Sequence, residues 1–277
     1  LTRQGPKGLR AAADILVGRR THWSFDAWQR VEQTLGIRSA FFFLARKGSL
    51  LQYASGTPDG FYDVRDPRFR AVLHALAAGG WEIALQASYR AFESVERFVE
   101  EKQRLEEASG VVIRGHRHHY FHMNPGNPDD TLLMHERAGF AYDTSLTHDR
   151  YAGWRRGLCW PFYPFHRRLR REIRTLQLPL AWMDSQLLAN RTIDRRSAQR
   201  ALGDLVNRVS SESGLFLSDV HEYVFDDVLY PGWAQTYLEL MAHLVSRGDF
   251  WLATPGAVAD HWIARHARIC AASTGLD

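Results

Sequence analysis

The fold is indicated most clearly by the segment Gly80-Trp81-Glu82-Ile83-Ala84-Leu85-Gln86-Ala87-Ser88-Tyr89-Arg90. Its apolar part, Trp81 to Leu85, is short and follows glycine, and such a run predicts a buried β-strand. Gln86 stands where this strand ends. Its side-chain amide can both donate and accept hydrogen bonds at that strand end.

Composition indicates a globular chain whose charge gives little sign of a nucleic-acid partner. The 277 residues are 45% hydrophobic and 12% aromatic, and the net charge of +4 arises from 35 basic and 31 acidic residues. Basic and acidic residues are mixed along most of the chain, apart from the run His166-Arg167-Arg168-Leu169-Arg170-Arg171. Such a run is most often a solvated helix face. No nucleic-acid partner is predicted.

Cysteine usage and hydropathy indicate the compartment. Cys159 and Cys270 lie far apart and form no Cys-x-x-Cys pair, which argues against a disulfide framework and a thiolate zinc site. A reducing, cytoplasmic location is the expectation. No apolar run approaches the roughly 20 residues that span a bilayer, and no signal-peptide pattern opens the chain. The sequence begins at Leu1 without methionine, so a removed upstream segment stays an open alternative.

Short apolar runs alternate with amphipathic stretches, which predicts an α/β protein with mostly parallel strands in one domain, residues 1–277. Six or seven β-α units in series favour a barrel. The predicted helices are Gly8 to Val17, Phe25 to Leu35 with Ser24 as N-cap, Asp66 to Ala78, Phe92 to Ser109, Thr131 to Ala138, Ser197 to Glu212 and Trp233 to Arg247. The predicted strands are Ile37 to Ala45, Trp81 to Leu85, Val111 to Tyr120, Tyr142 to Ser145, Leu176 to Trp182, Leu215 to His221 and Phe250 to Thr254.

Several segments, in order and spacing, resemble the polysaccharide deacetylase (NodB-like) family. The segment from Gly80 to Tyr89 is similar to the family's Gly-His-Glu-Ile-Gly-Leu-His-Gly-Ser-Tyr, and Gly139-Phe140-Ala141-Tyr142-Asp143-Thr144-Ser145-Leu146 resembles its Gly-Phe-x-Tyr-Asp-Ser-Ser-Leu. The remaining segments that resemble family elements are Ile37 to Phe43, Gly115 to Tyr120, Gly153 to Phe165, Leu178 to Asp184 and Leu217 to Glu222.

The resemblance implies a distorted (β/α)7 barrel with its site at the carboxyl ends of the strands. In the family, an aspartate-histidine-histidine set holds a divalent metal, usually zinc, and a second aspartate is the general base. A late histidine protonates the leaving amine after metal-bound water attacks an N-acetyl carbonyl on a sugar. The implied activity is therefore hydrolysis of an N-acyl group on an amino sugar or related carbohydrate.

Asp184 and His221 are candidate catalytic residues because each follows an apolar strand and should emerge at the strand's carboxyl end. Asp219 lies two residues before His221 and shares its face of the strand. An aspartate near an imidazole raises the imidazole pKa and fixes its tautomer, which suits a general acid. His221 is predicted to be this acid, and Asp184 to orient it.

The segment Gly115 to Tyr120 matches the family's Gly-x-Arg-x-His-Tyr and supplies two more candidates, Arg117 and His119. Arg117 would orient a carboxylate or bind substrate oxygens through its planar guanidinium, and His119 would be a ligand or an acid. The two-residue period of a strand puts both on one face. The opposite face is predicted to carry His116, His118 and Tyr120.

The positions that hold metal in the family are altered. Gln86 replaces the strand-end histidine, and the first eight residues, Leu1 to Gly8, contain neither of the family's opening aspartates. His116, His118 and His122 could share a face if their strand continued, but extended spacing leaves them in a row rather than around one ion. No metal is predicted, and zinc stays the open alternative.

Two functions of different classes remain open. The chain is either a deacetylase-like hydrolase or a former deacetylase that holds a glycan without cleaving it. Rim aromatics, among them Trp81, suit sugar stacking in both cases. A third alternative is that the first strand lies outside this sequence. The predicted substrate-binding residues are Gln86, Tyr89, Tyr120, Trp160 and Asp219.

Overall fold

The computed structural model describes residues 9–11, 13, 14, 19, 21–189 and 193–274. They form two compact units. The sheet unit comprises Arg38–His148, Trp154–Leu180 and the residues from Ala253 onward, and the helix unit comprises the described residues up to Ile37, Asp149–Gly153 and Ala181–Leu252. Of the predicted helix from Gly8 to Val17, residues 9–11, 13 and 14 are described, and they are helical.

Between residues 21 and 274, apart from 190–192, the chain has nine α-helices. They are α1 Phe25–Leu35, α2 Leu50–Ala54, α3 Pro67–Ala78, α4 Val95–Ser109, α5 Pro128–Arg137, α6 Asp184–Leu188, α7 Arg195–Glu212, α8 Trp233–Arg247 and α9 Pro255–Thr274. The strands are β1 Ala40–Leu44, β2 Glu82–Ala87, β3 Gly115–His118, β4 Tyr142–Asp143, β5 Phe165–His166, β6 Arg171–Glu172, β7 Leu176–Gln177, β8 Leu180–Met183 and β9 Leu217–Asp219. Short 3-10 turns cover Ala91–Glu93, His119–Phe121 and Glu222–Phe225.

A parallel sheet in the order β1-β2-β3-β4-β7 forms the centre of the sheet unit. Gln86 pairs with Arg117, and Leu85 pairs with His116. Because paired residues of neighbouring strands lie on the same side of a sheet, Gln86 and Arg117 share one face. Leu85, His116 and, by alternation, His118 share the other. The predicted mixed α/β fold with parallel strands is confirmed.

Helix caps position the elements that follow the strands. Asp66 accepts a hydrogen bond from the backbone N–H of Arg68 at the start of α3, and Ser94 accepts one from Arg97 at the start of α4. A polar side chain at this position satisfies backbone donors that have no partner within the helix. Helix α4 ends at Gly110, whose φ of 74° is a left-handed conformation that glycine adopts without strain.

The helix unit packs α7 against α8 through their apolar faces. The buried side chains of α7 are Ala198, Leu202, Val206 and Val209, and those of α8 include Tyr237, Leu240, Met241 and Leu244. Trp28 of α1 meets Tyr237 and Phe225 edge to face, with ring centroids 4.9 and 5.0 Å apart. In the same unit, β9 pairs with β8.

Three predicted strands differ from the structure. The run from Leu176 to Trp182 is two strands, because Pro179 lacks the N–H that a continuous strand would need, and β7 and β8 join different sheets. The strand predicted from Val111 to Tyr120 is only β3. Residues Phe250 to Thr254 form no strand, and Trp251 and Leu252 are exposed, so their apolar character does not reflect burial in a sheet.

Helix α9 is 20 residues long and begins at Pro255, a residue that fits the first turn of a helix. None of the helices in the described part of the chain is both long enough and apolar enough to cross a membrane.

Candidate functional site

Asp184 and His221 form a hydrogen-bonded pair in the helix unit. Asp184 is fully buried at the start of α6, directly after β8, and His221 follows β9. The His221 Nδ1 atom lies 3.0 and 3.1 Å from the two carboxylate oxygens of Asp184, and the backbone N–H of His221 donates to Oδ2 at 2.8 Å. The pairing of β8 with β9 brings these two strand ends together.

The pair determines the charge and orientation of the imidazole. Burial opposes a charge on this ring, but the hydrogen bond and charge of Asp184 outweigh burial and raise the pKa of His221 to about 9. Since Nδ1 donates to Asp184, Nε2 is left for a substrate. The His221 side chain is 32% exposed, so solvent reaches it. Asp219 raises the same pKa through its charge, but the hydrogen-bond partner of His221 is Asp184.

A row of aromatic rings continues from His221. The His221 ring stacks on Tyr223 with centroids 4.8 Å apart, and Tyr223 stacks on Tyr230 at 4.4 Å. Trp233 follows at 4.9 Å from Tyr230. Partly exposed aromatic rings bind the apolar faces of sugars. Sequence reasoning missed these three residues, although they follow the late histidine motif within 12 positions.

A second carboxylate-histidine pair lies in the sheet unit. His119 Nδ1 is 2.9 Å from Asp59 Oδ1, and the same oxygen accepts the backbone N–H of Tyr89 at 2.8 Å. Asp59 is buried, while His119 and Tyr89 are partly exposed. The two backbone segments that meet Asp59 follow β2 and β3. Sequence reasoning missed Asp59, which lies 60 positions from His119 in an irregular loop.

The face alternation predicted through Tyr120 stops at His118. Tyr120 and Phe121 have φ of 55° and 51°, so the chain leaves the strand in a 3-10 turn and His119 does not continue the face of Arg117. Tyr120 is exposed, and its ring meets Tyr89 edge to face at 6.0 Å.

Arg117 and Gln86 lie on one face of the sheet, as their register requires. Arg117 is buried, its Nε donates to Thr144 Oγ1 at 2.8 Å, and its guanidinium lies 4.3 Å above the Phe42 ring. This arrangement holds the planar fork in one orientation. Gln86 is partly exposed beside it.

The remaining predicted sugar contacts are scattered. Trp81 precedes β2 at its amino end and is buried, with Arg38 stacked on its ring at 4.3 Å, so the prediction that it lies at the rim is wrong. Trp160 is partly exposed in the irregular segment before β5, and Asp219 is partly exposed at the end of β9. Their roles stay predictions.

A small cleft opens among the loops that follow β1 and β2. Four of its residues are cationic, and the others are polar or acidic, so the cleft suits a ligand rich in hydroxyl or anionic groups. The lining residues are Arg46, Lys47, Gln52, Ser55, Thr57, Asp59, Ser88, Arg90 and Arg97. Behind Ser88, which donates its backbone N–H to Glu101 at 2.8 Å, burial raises the pKa of the Glu101 carboxyl to about 7.

The end of β2 does not fit the metal of the family that the sequence resembles, because Gln86 offers an amide there beside the cationic Arg117. In the part of the chain that the structure describes, one group of three histidine, cysteine or acidic side chains lies close enough to share an ion, and its members are His116, His118 and His135. This group lies on the other face of β3.

The structure corrects the predicted row of His116, His118 and His122. His122 turns away, donates from Nδ1 to the Tyr89 carbonyl at 2.8 Å and stacks on the Tyr89 ring at 3.9 Å. His135 of α5 takes its place against the first two. Burial lowers the pKa of His118 to about 3 and the pKa values of His116 and His135 well below the usual value, so the three rings are neutral.

No protein-family model and no curated protein matches the chain. Some solved structures, however, superpose on it. A protein of Mycobacterium smegmatis assigned to the polysaccharide deacetylases superposes with a TM-score of 0.60 at 17% identity, over 95% of this chain and 88% of that one. A probable polysaccharide deacetylase of Pseudomonas aeruginosa superposes with a TM-score of 0.54 at 17% identity, over 86% of this chain and 73% of that one. The chain therefore has the polysaccharide deacetylase fold, and the resemblance found in its motifs is confirmed at the level of the fold.

Proposed function

We propose that the protein hydrolyses an N-acyl group of an amino sugar or related carbohydrate, with His221 as the general acid. The hydrogen bond between Asp184 and His221 is the observation that supports this function most strongly. It gives a solvent-accessible imidazole a fixed tautomer and a raised pKa. Perturbed groups of this kind concentrate at active sites.

Amide hydrolysis needs a proton at the leaving nitrogen. Water attacks the acyl carbon, the C–N bond breaks, and the products are a carboxylate and a protonated amine. An amine leaves readily only when its nitrogen is protonated as the bond breaks. With a pKa of about 9, His221 is charged near neutral pH and its Nε2–H is the donor. Asp184 stabilises the charged form before the transfer.

The sheet unit carries candidate residues of its own. His119, oriented by Asp59, has the chemistry of an acid or base. Arg117 is proposed to orient an anionic or hydroxyl group through its planar fork. The proposed sugar contacts of the sheet unit are Gln86, Tyr89, Tyr120 and Trp160, and Asp219 is the proposed sugar contact of the helix unit.

Amine release from N-acetylated chito-oligosaccharides, detected by fluorescent labelling of the new amine, tests this function. We expect His221→Ala to lower the rate by about 10²- to 10⁴-fold, the usual contribution of a positioned acid. His243→Ala is the matched control, because His243 is an exposed histidine of the same unit on α8. Equal rates in the two variants would contradict the proposal.

A carbohydrate-binding protein without hydrolytic activity is the second candidate. The replacement of the strand-end histidine by Gln86 favours it, and the rings of Tyr223 and Tyr230 would serve binding without chemistry. In that case wild-type protein binds chito-oligosaccharides in calorimetric titrations, Tyr223→Ala weakens binding, and no amine is released. His221→Ala would then leave binding nearly unchanged.

Restoring histidine at the strand end is expected to leave the zinc content unchanged. In Gln86→His, the new imidazole would stand beside the cationic Arg117, which opposes a divalent ion. Zinc per chain, measured by plasma mass spectrometry after dialysis, should equal that of the wild type. One additional tightly held zinc per chain in the variant would show that the family's metal site persists.

A further inference from the structure

Three histidines are buried together between the sheet and a helix. His116 and His118 project from β3, His135 projects from α5, and their side chains are 0%, 1% and 0% exposed. The Nε2 atoms of His118 and His135 are 2.8 Å apart, and the ring centroid of His116 lies 4.1 Å from that of His135. One ring nitrogen of each histidine lies within 4.8 Å of the others.

Their hydrogen bonding is incomplete. One hydrogen bond within the cluster joins Nε2 of His118 to Nε2 of His135. Four other ring nitrogens are buried without a hydrogen-bond partner among the described residues: both nitrogens of His116, Nδ1 of His118 and Nδ1 of His135. Buried polar groups are nearly always hydrogen-bonded, and exceptions point to an unrecorded water, ion or chemical role. Four such nitrogens in one cluster exceed what packing alone explains.

The surroundings resemble the shell of a closed metal site. Phe98 of α4 meets all three rings edge to face at 5.3 to 5.8 Å, and Phe140 lies 4.4 Å from His116. This apolar wall excludes water and would hold the imidazoles in place. Neutral imidazole is the form that binds metal, and in a tetrahedral zinc site with Zn–N near 2.0–2.1 Å the nitrogens are roughly 3.3 Å apart. The observed separations, 2.8 Å between the Nε2 atoms of His118 and His135 and at most 4.8 Å within the group, bracket that spacing.

A carboxylate stands beside the cluster. Asp143 Oδ1 lies 3.4 Å from His116 Nε2, and Oδ2 lies 3.9 Å from His135 Nδ1. The backbone N–H of Ser145 donates to Oδ1 at 3.0 Å and holds the group. Neither approach is a hydrogen bond in this structure, but both place the carboxylate beside ring nitrogens that have no other partner among the described residues. A carboxylate that accepts from the far nitrogen of a ligating histidine orients the ring and strengthens its binding.

We propose that His116, His118 and His135 bind a zinc-type divalent cation, with Asp143 beside them to orient the rings, balance the charge and offer the fourth ligand. The three ligands are fully buried, which indicates a structural ion that ties α5 to β3. The site lies on the face of β3 opposite Gln86 and Arg117, and it stands independently of the hydrolytic function. Imidazole ligands favour zinc, cobalt, nickel or copper over magnesium and calcium.

The experiment strips the full-length protein with a chelator and titrates it with zinc and with cobalt(II). We expect one equivalent of zinc, a rise in the thermal midpoint of at least about 5 °C, and the visible absorption bands of tetrahedral cobalt. His135→Gln should lose stoichiometric binding, and Asp143→Asn should weaken it about 10- to 100-fold. His74→Gln, an exposed histidine of the same unit on α3, should bind as the wild type does.

The wild-type titration decides the proposal even where a variant folds poorly. Absence of cobalt bands and of a zinc-dependent thermal shift in folded wild-type protein would overturn it. Retention of one zinc by folded His135→Gln, with loss of that zinc in His119→Gln, would place the ion at the Asp59–His119 pair and would also overturn it.

Discussion

Replacement of Asp184 by asparagine is expected to lower the pKa of His221 from about 9 to below about 6.5. Asparagine is close to aspartate in size and keeps one oxygen that can accept from His221 Nδ1, but its amide nitrogen cannot accept the backbone N–H that Asp184 Oδ2 accepts from His221. Burial then acts on the imidazole without the charge that outweighed it. The variant therefore removes the negative charge and one hydrogen bond of the pair.

The pKa is measured by NMR titration of the His221 ring protons. Asp219→Asn is the matched control, because Asp219 raises the pKa of His221 through its charge whereas Asp184 acts through both a hydrogen bond and its charge, so the loss of Asp219 should shift the pKa less. A pKa that stays near 9 in Asp184→Asn, or equal shifts in both variants, would contradict the assignment of Asp184 as the partner.

The raised pKa of His221 also makes the free energy of unfolding depend on pH. The folded-state pKa of His221 is raised above the unfolded value of about 6.5, so the folded protein holds a proton that the unfolded chain releases. The stability from this pair is fully present below about pH 6.5 and is lost as pH rises through about 9. In Asp184→Asn, that alkaline loss should disappear from the free energy of unfolding.

Gly115→Ala is expected to be strongly destabilising. A Cβ at Gly115 would overlap the ring of Tyr142, which is fully buried. Tyr142 cannot move freely, because its hydroxyl donates to Glu82 at 2.8 Å, and Glu82 also accepts the backbone N–H of Gly256 at 2.7 Å. Overpacking together with a broken buried hydrogen bond costs about 3 kcal/mol or more.

Thermal unfolding measures this cost, and a loss of about 3 kcal/mol corresponds to a fall in Tm of about 10 °C. Gly203→Ala is the control. Gly203 lies inside α7, where an added Cβ meets nothing within 4 Å, so alanine should stabilise the helix by about 0.5–1 kcal/mol. Equal Tm values for Gly115→Ala and the wild type would show that the Tyr142 ring is not fixed.

The order of elements could be predicted from the sequence because each strand of the sheet is a short apolar run between amphipathic helices. The residues at which the strands end could not be predicted as well. The turn after His118 depends on the left-handed backbone conformation of Tyr120 and Phe121. Bulky aromatic residues rarely adopt this conformation, so the sequence does not predict it. Trp251 and Leu252, in the apolar run before Pro255, are exposed and form no strand, and exposure is a tertiary property.

The candidate site shows the same division. Asp184 and His221 could be placed at strand ends separately, but only the pairing of β8 with β9 shows that they meet. The sequence does not indicate the role of Asp59, because its partner His119 lies 60 positions along the chain. The burial of His135 could have been predicted, since it falls three and four positions after Leu132 and Thr131 on the buried face of α5. A histidine on such a face must be neutral or bound.

The pH dependence of kcat/KM for amine release from N-acetylated chito-oligosaccharides is the decisive measurement of whether His221, charged by Asp184, is the acid of a hydrolase. The alkaline side of this profile reports the pKa of the essential acid in the free enzyme. The wild-type rate should fall above about pH 9, and in Asp184→Asn the fall should begin below about pH 6.5. An alkaline limb that does not move in the variant, or a wild-type protein that releases no amine at any pH, would contradict this role of His221.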